Sequence, residues 1–171
     1  IMLSYFKLAS KYAFMAKDTL GALSYYRNEE RGYYFTGKYD SVFIINKHVR
    51  SLYRRYGYKE LASVPSDLEI YIYLLQKRFV KAKYYMDISD KYFDKKYMHT
   101  NEFGISGYHK GLYYLGVNKL DSAKYFFERE LYNYSDYNNK QAAAKGLFML
   151  YRKKKDADSI AKYSELWNNT V

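Results

Sequence analysis

Four short segments of this chain repeat one another, and that self-similarity limits the fold more than any other feature. They are Gly37-Lys38-Tyr39-Asp40-Ser41-Val42, Lys77-Arg78-Phe79-Val80-Lys81-Ala82, Asn118-Lys119-Leu120-Asp121-Ser122-Ala123 and Lys155-Asp156-Ala157-Asp158-Ser159-Ile160. From Val42 to Ala82, Ala82 to Ala123 and Ala123 to Ile160 the intervals are 40, 41 and 37 residues. A second match supports the period: Lys110-Gly111-Leu112-Tyr113 returns as Lys145-Gly146-Leu147-Phe148, 35 positions on. Each segment reads as a tight turn opening a helix, so the chain reads as a series of helical hairpins.

Apolar spacing supports helices over strands. Ala82, Tyr85, Met86 and Phe93 fall three, four and seven apart, as do Val42, Ile45, Val49 and Leu52, while Ala123, Phe126, Phe127 and Leu131 fall three, four and eight apart. One Pro and nine Gly in 171 residues are too few turn formers for a many-stranded sheet. The spacing predicts an all-α chain of about nine helices, at 1–16, 19–36, 40–56, 65–77, 79–95, 101–116, 119–134, 137–153 and 157–168. Pro65 starts the fourth, because proline is tolerated in a first turn. Helix 1–16 is a leftover or capping helix without a partner in this scheme, with Met2, Phe6, Ala9 and Ala13 as its inner stripe. The hairpins then occupy 19–56, 65–95, 101–134 and 137–168 of a single repeat domain. A competing register with a turn at Lys17-Asp18 ranks second, because the 22 residues from Asp18 to Asp40 are too few for a full unit. Position 1 is Ile, so the chain is expected to be a processed or excised part of a longer one.

Within each hairpin the residues have mechanical roles. Asp121 and Asp158 are expected to cap the exposed amides of a second helix and to sit on its positive dipole end. Ala123 marks a close helix crossing, with Gly111 facing it. Tyr33, Tyr73 and Tyr114 fill the space beside that contact.

The small, aromatic, small, aromatic order of Gly111, Tyr114, Ala123 and Phe127 resembles the tetratricopeptide repeat (TPR) family, in its longer variety of about 40 residues per unit. The first copy departs from it, with Glu30, Tyr33, Val42 and Asn46 at those positions, and no copy has the family's proline after its second helix. The resemblance implies a right-handed α-solenoid of antiparallel hairpins whose first helices line a concave groove. Carried over copy by copy, that groove takes in Arg27, Arg31 and Tyr34; Asp67, Tyr71 and Leu74; Tyr108, Leu112 and Leu115; and Ala143 and Leu147. The Lys and Asn clamp by which some family members hold a C-terminal carboxylate is not reproduced. A groove basic at one end and aromatic or aliphatic at the other suits an acidic-apolar peptide. The Lys-Gly-Leu and Asp-Ser segments also look like repeat regions of Bacteroidetes regulatory and sensor proteins. That likeness implies a sensor or assembly module, periplasmic or membrane-attached. The residues themselves leave cytoplasm and periplasm open.

The function implied is a non-catalytic scaffold whose partner is a peptide or protein segment, its own flanking chain or a second copy, with no cofactor and no metal. The chemical inventory is thin for an enzyme. There is no Cys, no phosphate-cradling Gly loop and no nucleophile elbow. His99, Glu102 and His109 lack a ligand spacing and read as solvated residues. Gly104-Ile105-Ser106-Gly107 has the outline of an RNA-clamping loop but sits in a helical repeat. The formal charge of +11 with 25 Tyr keeps a nucleic-acid-binding helical repeat as the alternative, because Lys and Arg neutralise phosphates while Tyr stacks on bases. An enzyme acting on an acidic small molecule is a third reading. Arg50, Arg54 and Arg55 cluster on one helix, and Arg152-Lys153-Lys154-Lys155 ends another, where cations complement the dipole. No apolar run approaches the roughly 18 residues of a membrane span.

Overall fold

The computed structural model describes residues 2–96, 105–133 and 137–168, with side chains described for 2–92, 107–133 and 137–168. These residues form α-helices only: α1 (Met2–Met15), α2 (Thr19–Phe35), α3 (Tyr39–Arg55), α4 (Asp67–Leu75), α5 (Phe79–Lys96), α6 (Ile105–Gly116), α7 (Leu120–Asn133), α8 (Tyr137–Lys154) and α9 (Ala157–Asn168). The all-α expectation holds, and most boundaries fall within two residues of those read from the sequence. The expected helix start at 101–104 lies outside the described residues. Contacts divide the chain into two compact units, residues 1–72 and 73–171.

One turn recurs throughout. Lys17, Gly37, Lys77, Asn118 and Lys155 each take a left-handed backbone with φ between 56° and 72°, directly between two helices. In each case the next residue's amide reaches back five positions, to the carbonyls of Ala13, Tyr33, Tyr73, Tyr114 and Tyr151. The left-handed residue's own amide reaches back three. This is the Schellman arrangement, which satisfies carbonyls that a helix end otherwise leaves open. Gly57 ends α3 in the same way, against the carbonyl of Tyr53. Four of the six positions carry a side chain in a conformation that favours glycine. The turn at Lys17 makes α1 a partner of α2. The two pack together, with the Ser10 hydroxyl donating to the Ala22 carbonyl and Leu3 against Gly32. Helix α1 is therefore paired, against the expectation of a helix without a partner.

Past each turn a small or β-branched residue follows, and Ala22, Val42, Ala82 and Ala123 are all fully buried. Twelve residues beyond the tyrosine whose carbonyl closes the turn lies its stacking partner. Tyr73 and Tyr85, Tyr114 and Phe126, and Tyr151 and Tyr163 stack with interplanar angles of 7°, 4° and 6° and centroids 5.4–5.6 Å apart. Such pairs add about 0.5–1.5 kcal/mol beyond the area they bury.

In unit 2, α7 packs against α6 and α8, α8 against α9, and α6 against α8. Phe127 is fully buried at the centre. A Cβ at Gly111 or at Gly146 would lie 2.4 Å from its ring, so the glycines of the two Lys-Gly-Leu segments face Phe127 from α6 and α8. The nearest side chain to Gly111 is therefore Phe127. The core of unit 1 gathers Leu23, Ile45, Val49 and Tyr53 with Ala62 of the connection between α3 and α4.

Three helix starts differ from expectation. The Asp156 carboxylate caps α9, accepting from the Ser159 amide at 3.2 Å and its hydroxyl at 2.8 Å, and those bonds hold it below the usual carboxylate range. Asp158 and Asp121 sit in the first turns of α9 and α7, where they meet the helix dipole without capping. Helix α4 begins at Asp67, not Pro65, because the Ser66 hydroxyl accepts the Glu69 amide at 3.0 Å and fixes the start there.

Two measurements check this packing. Phe127→Ala should cost about 3–5 kcal/mol by leaving a cavity, and Gly146→Ala about 1–3 kcal/mol by forcing a methyl into the ring; urea titrations unchanged by both would refute the central contact. Lys155→Gly should raise stability by about 0.5–1 kcal/mol by relieving a left-handed lysine, which a raised urea midpoint would show.

Candidate functional site

In unit 1 the expected groove residues divide into anchored and open groups. Arg27 is half-buried: its guanidinium donates to the Val64 carbonyl at 3.0 Å and lies over the Tyr53 ring at 5.4 Å. It therefore holds the connection between α3 and α4. Arg31, one turn further along α2, is exposed. Tyr34 is half-buried, its ring 5.9 Å from Tyr71 and 5.8 Å from Tyr39. Burial first, and the neighbouring Tyr71 and Tyr39 next, push its hydroxyl up to about 12, so it stays protonated. Asp67 is exposed in the first turn of α4. The structure thus brings Tyr34 and Tyr71 together and leaves Arg31 and Asp67 open on the same two helices.

Beneath them lies a buried polar network that the sequence reading did not identify. Glu30 accepts hydrogen bonds from the Asn46 amide and from Ser66. Asn46 also donates to the Ser66 hydroxyl at 3.0 Å. Burial raises the Glu30 carboxyl, while these bonds and Arg27 oppose that rise. Arg50 donates to the Ala62 carbonyl at 3.2 Å and pairs with buried Glu69 at 3.6 Å. The three-arginine cluster on α3 is thereby reduced, with Arg54 and Arg55 exposed and Arg50 committed to the core. The Ser66-x-x-Glu69 spacing ahead of an apolar run is a capping signature that could have exposed part of this arrangement.

In unit 2, Leu74 and Leu115 are buried. Tyr108 and Leu112 are half-buried against the Phe127 cluster, with the Tyr108 ring 5.9 Å from Phe127. Ala143 and Leu147 are fully buried. His109 is buried, not solvated as expected, while His99 and Glu102 lie outside the described residues. Among the described residues no group of three acidic or imidazole side chains is placed to hold a metal. In the basic run at the end of α8, Lys153 donates to the Leu115 carbonyl at 3.2 Å and Lys154 lies 3.6 Å from Asp121. Two of its four cations therefore serve the fold. A cleft of about 180 Å³ opens beside Met86, Tyr113, Tyr114 and Phe126. Its charges are matched internally, Lys110 to Asp90 at 2.8 Å and Lys83 to Asp87 at 2.5 Å.

Glu130 is a buried carboxyl whose acidity is strongly altered. Only 2% exposed, it takes the Gly107 amide at the start of α6 and fills the space a Cβ there would occupy. Its Oε2 has no hydrogen-bond partner. Burial pushes its carboxyl up to about 7, against the opposing pull of Arg129, the Gly107 amide and Lys110.

No family model matches the chain, and neither the curated proteins nor the solved structures supply a match. Among the described residues no helix is long and apolar enough to cross a membrane.

The altered acidity of Glu130 has a sign that can be tested. A carboxyl that binds its proton more tightly folded than unfolded adds stability below its unfolded value near 4.5 and loses it as pH rises through about 7. The urea midpoint should fall between pH 5 and pH 8, and Glu130→Gln should flatten that fall. An equal pH dependence in the variant would show that Glu130 does not titrate in this window.

Proposed function

We propose that the chain is a right-handed solenoid of TPR-like hairpins that serves as a non-catalytic protein-interaction scaffold, possessing a surface for an acidic-apolar peptide segment. Support for the solenoid comes from the recurrence of one turn geometry at five helix junctions and from the α6, α7 and α8 packing. The observation that carries the binding reading is the pairing of half-buried Tyr34 and Tyr71 beside exposed Arg31. Two adjacent tyrosine rings offer rigid apolar area with polar edges, at little entropic cost on binding. Arg31 adds a planar donor suited to a carboxylate.

The charge balance favours an acidic partner. Within residues 2–56, Glu29 and Glu30 are buried, leaving Asp18 and Asp40 as the exposed acids against eight exposed Lys and Arg. Removing acids from the surface makes it more cationic than the composition alone indicates. The same surplus would serve phosphates, so salt dependence separates the two readings.

An array of short acidic-apolar peptides, probed with the purified chain, tests the proposal. Bound peptides should lose about tenfold in affinity, near 1.4 kcal/mol, with Tyr71→Ala or Arg31→Glu, while circular dichroism stays unchanged. Binding indifferent to both substitutions would exclude this face. Single-stranded RNA binding that falls steeply with salt, in the absence of any peptide binding, would replace the reading with the nucleic-acid one.

A further inference from the structure

Helix α1 shows one face to α2 and another to solvent, and the solvent face is apolar. Tyr5, Leu8, Tyr12 and Met15 lie along it at spacings of three, four and three, with exposures of 68%, 47%, 58% and 68%. A helix normally places polar residues on its solvent side. Helix α9 does so, its exposed positions including Asp158, Lys162 and Glu165. The α1 face departs from that rule along its whole length.

Spacing and charge together specify an occupant. A stripe repeating at three and four residues matches the a and d positions by which one helix receives another. Lys11 flanks the stripe, Lys7 lies further round the same helix, and Lys17 follows its end, all exposed. Helix α1 contains no acidic residue. A second copy of α1 laid antiparallel on this seam would set Lys11 against Lys11, and one laid parallel would set Lys11 against alanine, so neither brings a carboxylate to it. A helix with carboxylates beside its seam would meet complementary charge instead.

We propose that the outer face of α1, formed by Tyr5, Leu8, Tyr12 and Met15, is a docking seam for an amphipathic helix of a partner protein whose apolar stripe is flanked by Asp or Glu. The surface is distinct from the Tyr34 and Tyr71 pair, and the proposal does not depend on peptide binding there.

Two display libraries of three-heptad helical peptides, alike in a randomised apolar seam and differing only in glutamate or lysine at the flanks, provide the test. The glutamate library should enrich on the chain and the lysine library should not. Enriched peptides should lose about tenfold or more in affinity with Tyr5→Glu/Tyr12→Glu, and also with the milder Tyr12→Ser/Met15→Ser, which guards against loss of folding. Lys7→Glu/Lys11→Glu should reverse the preference toward lysine-flanked peptides. No enrichment, equal enrichment of both libraries, or binding unaffected by the seam substitutions would overturn the proposal. Self-association abolished by Tyr12→Ser/Met15→Ser would overturn it in favour of a second copy. Binding to phosphatidylserine vesicles without peptide enrichment would overturn it in favour of a membrane surface.

Discussion

The turn that reverses the chain between paired helices governs the rest of this structure. A left-handed residue there lets two amides close back on the ending helix, and the carbonyl five positions back that takes one of them belongs to a tyrosine in four hairpins, Tyr33, Tyr73, Tyr114 and Tyr151. Closing the turn therefore fixes where that tyrosine stands. In three of these hairpins its ring then lies flat on an aromatic ring of the next helix, twelve residues on. In the first of the four, Ile45 stands at that distance from Tyr33 and both belong to the core of unit 1. A backbone constraint at the helix end thus becomes a side-chain contact between helices. Its recurrence outweighs the cost of placing lysine in the left-handed region.

The same helix-to-helix position is filled in two chemically opposite ways. In unit 2 Gly111 receives the Phe127 ring, and Gly146 receives it from the other side. At the corresponding positions of the first hairpin, Glu30 and Asn46 meet through a hydrogen bond. An apolar contact in this location tolerates a dry surround, whereas a buried carboxylate needs partners to offset desolvation. Ser66 and the Arg27 charge supply them, and Arg27 and Arg50 in turn hold the carbonyls of Val64 and Ala62. The irregular connection between α3 and α4 is thereby tied to a polar network as well as to the apolar core that holds Ala62.

What the sequence reveals follows from which interactions are local. Helix positions were legible because apolar spacing repeats every three or four residues, and the period was legible because the turn segments look alike. The cap of α9 was misplaced by two residues because Asp156 and Asp158 both suit a helix start, and only the bond to Ser159 distinguishes them. Gly111 is legible as a position of close helix contact, but that the ring filling it belongs to Phe127 is not, because Ala123 and Phe127 lie one turn apart on α7. Arg27 looked like a groove residue from its position on α2, but its hydrogen bond is to Val64, 37 residues away. Glu130 carried no local signal at all. Its acidity depends on being enclosed beside Gly107 of another helix, and no spacing rule reports that.

These assignments change what the basic composition means. Several cations that count toward the formal charge are engaged in the fold: Arg27 and Arg50 on backbone carbonyls, Lys153 at the end of α6, and Lys110 against Asp90. Acids are withdrawn as well, with Glu29, Glu30, Glu69 and Glu130 all buried. The surface charge is consequently not the sequence charge spread evenly over the chain. In residues 2–56 the withdrawal of acids leaves Arg31, Arg54, Arg55 and five lysines open to solvent against Asp18 and Asp40 alone. In the function proposed above, such a field would steer acidic partners toward this part of the chain before any contact forms. The apolar rings of Tyr34 with Tyr71, and those of Tyr5 with Tyr12, would then supply the short-range area that a charge field by itself lacks.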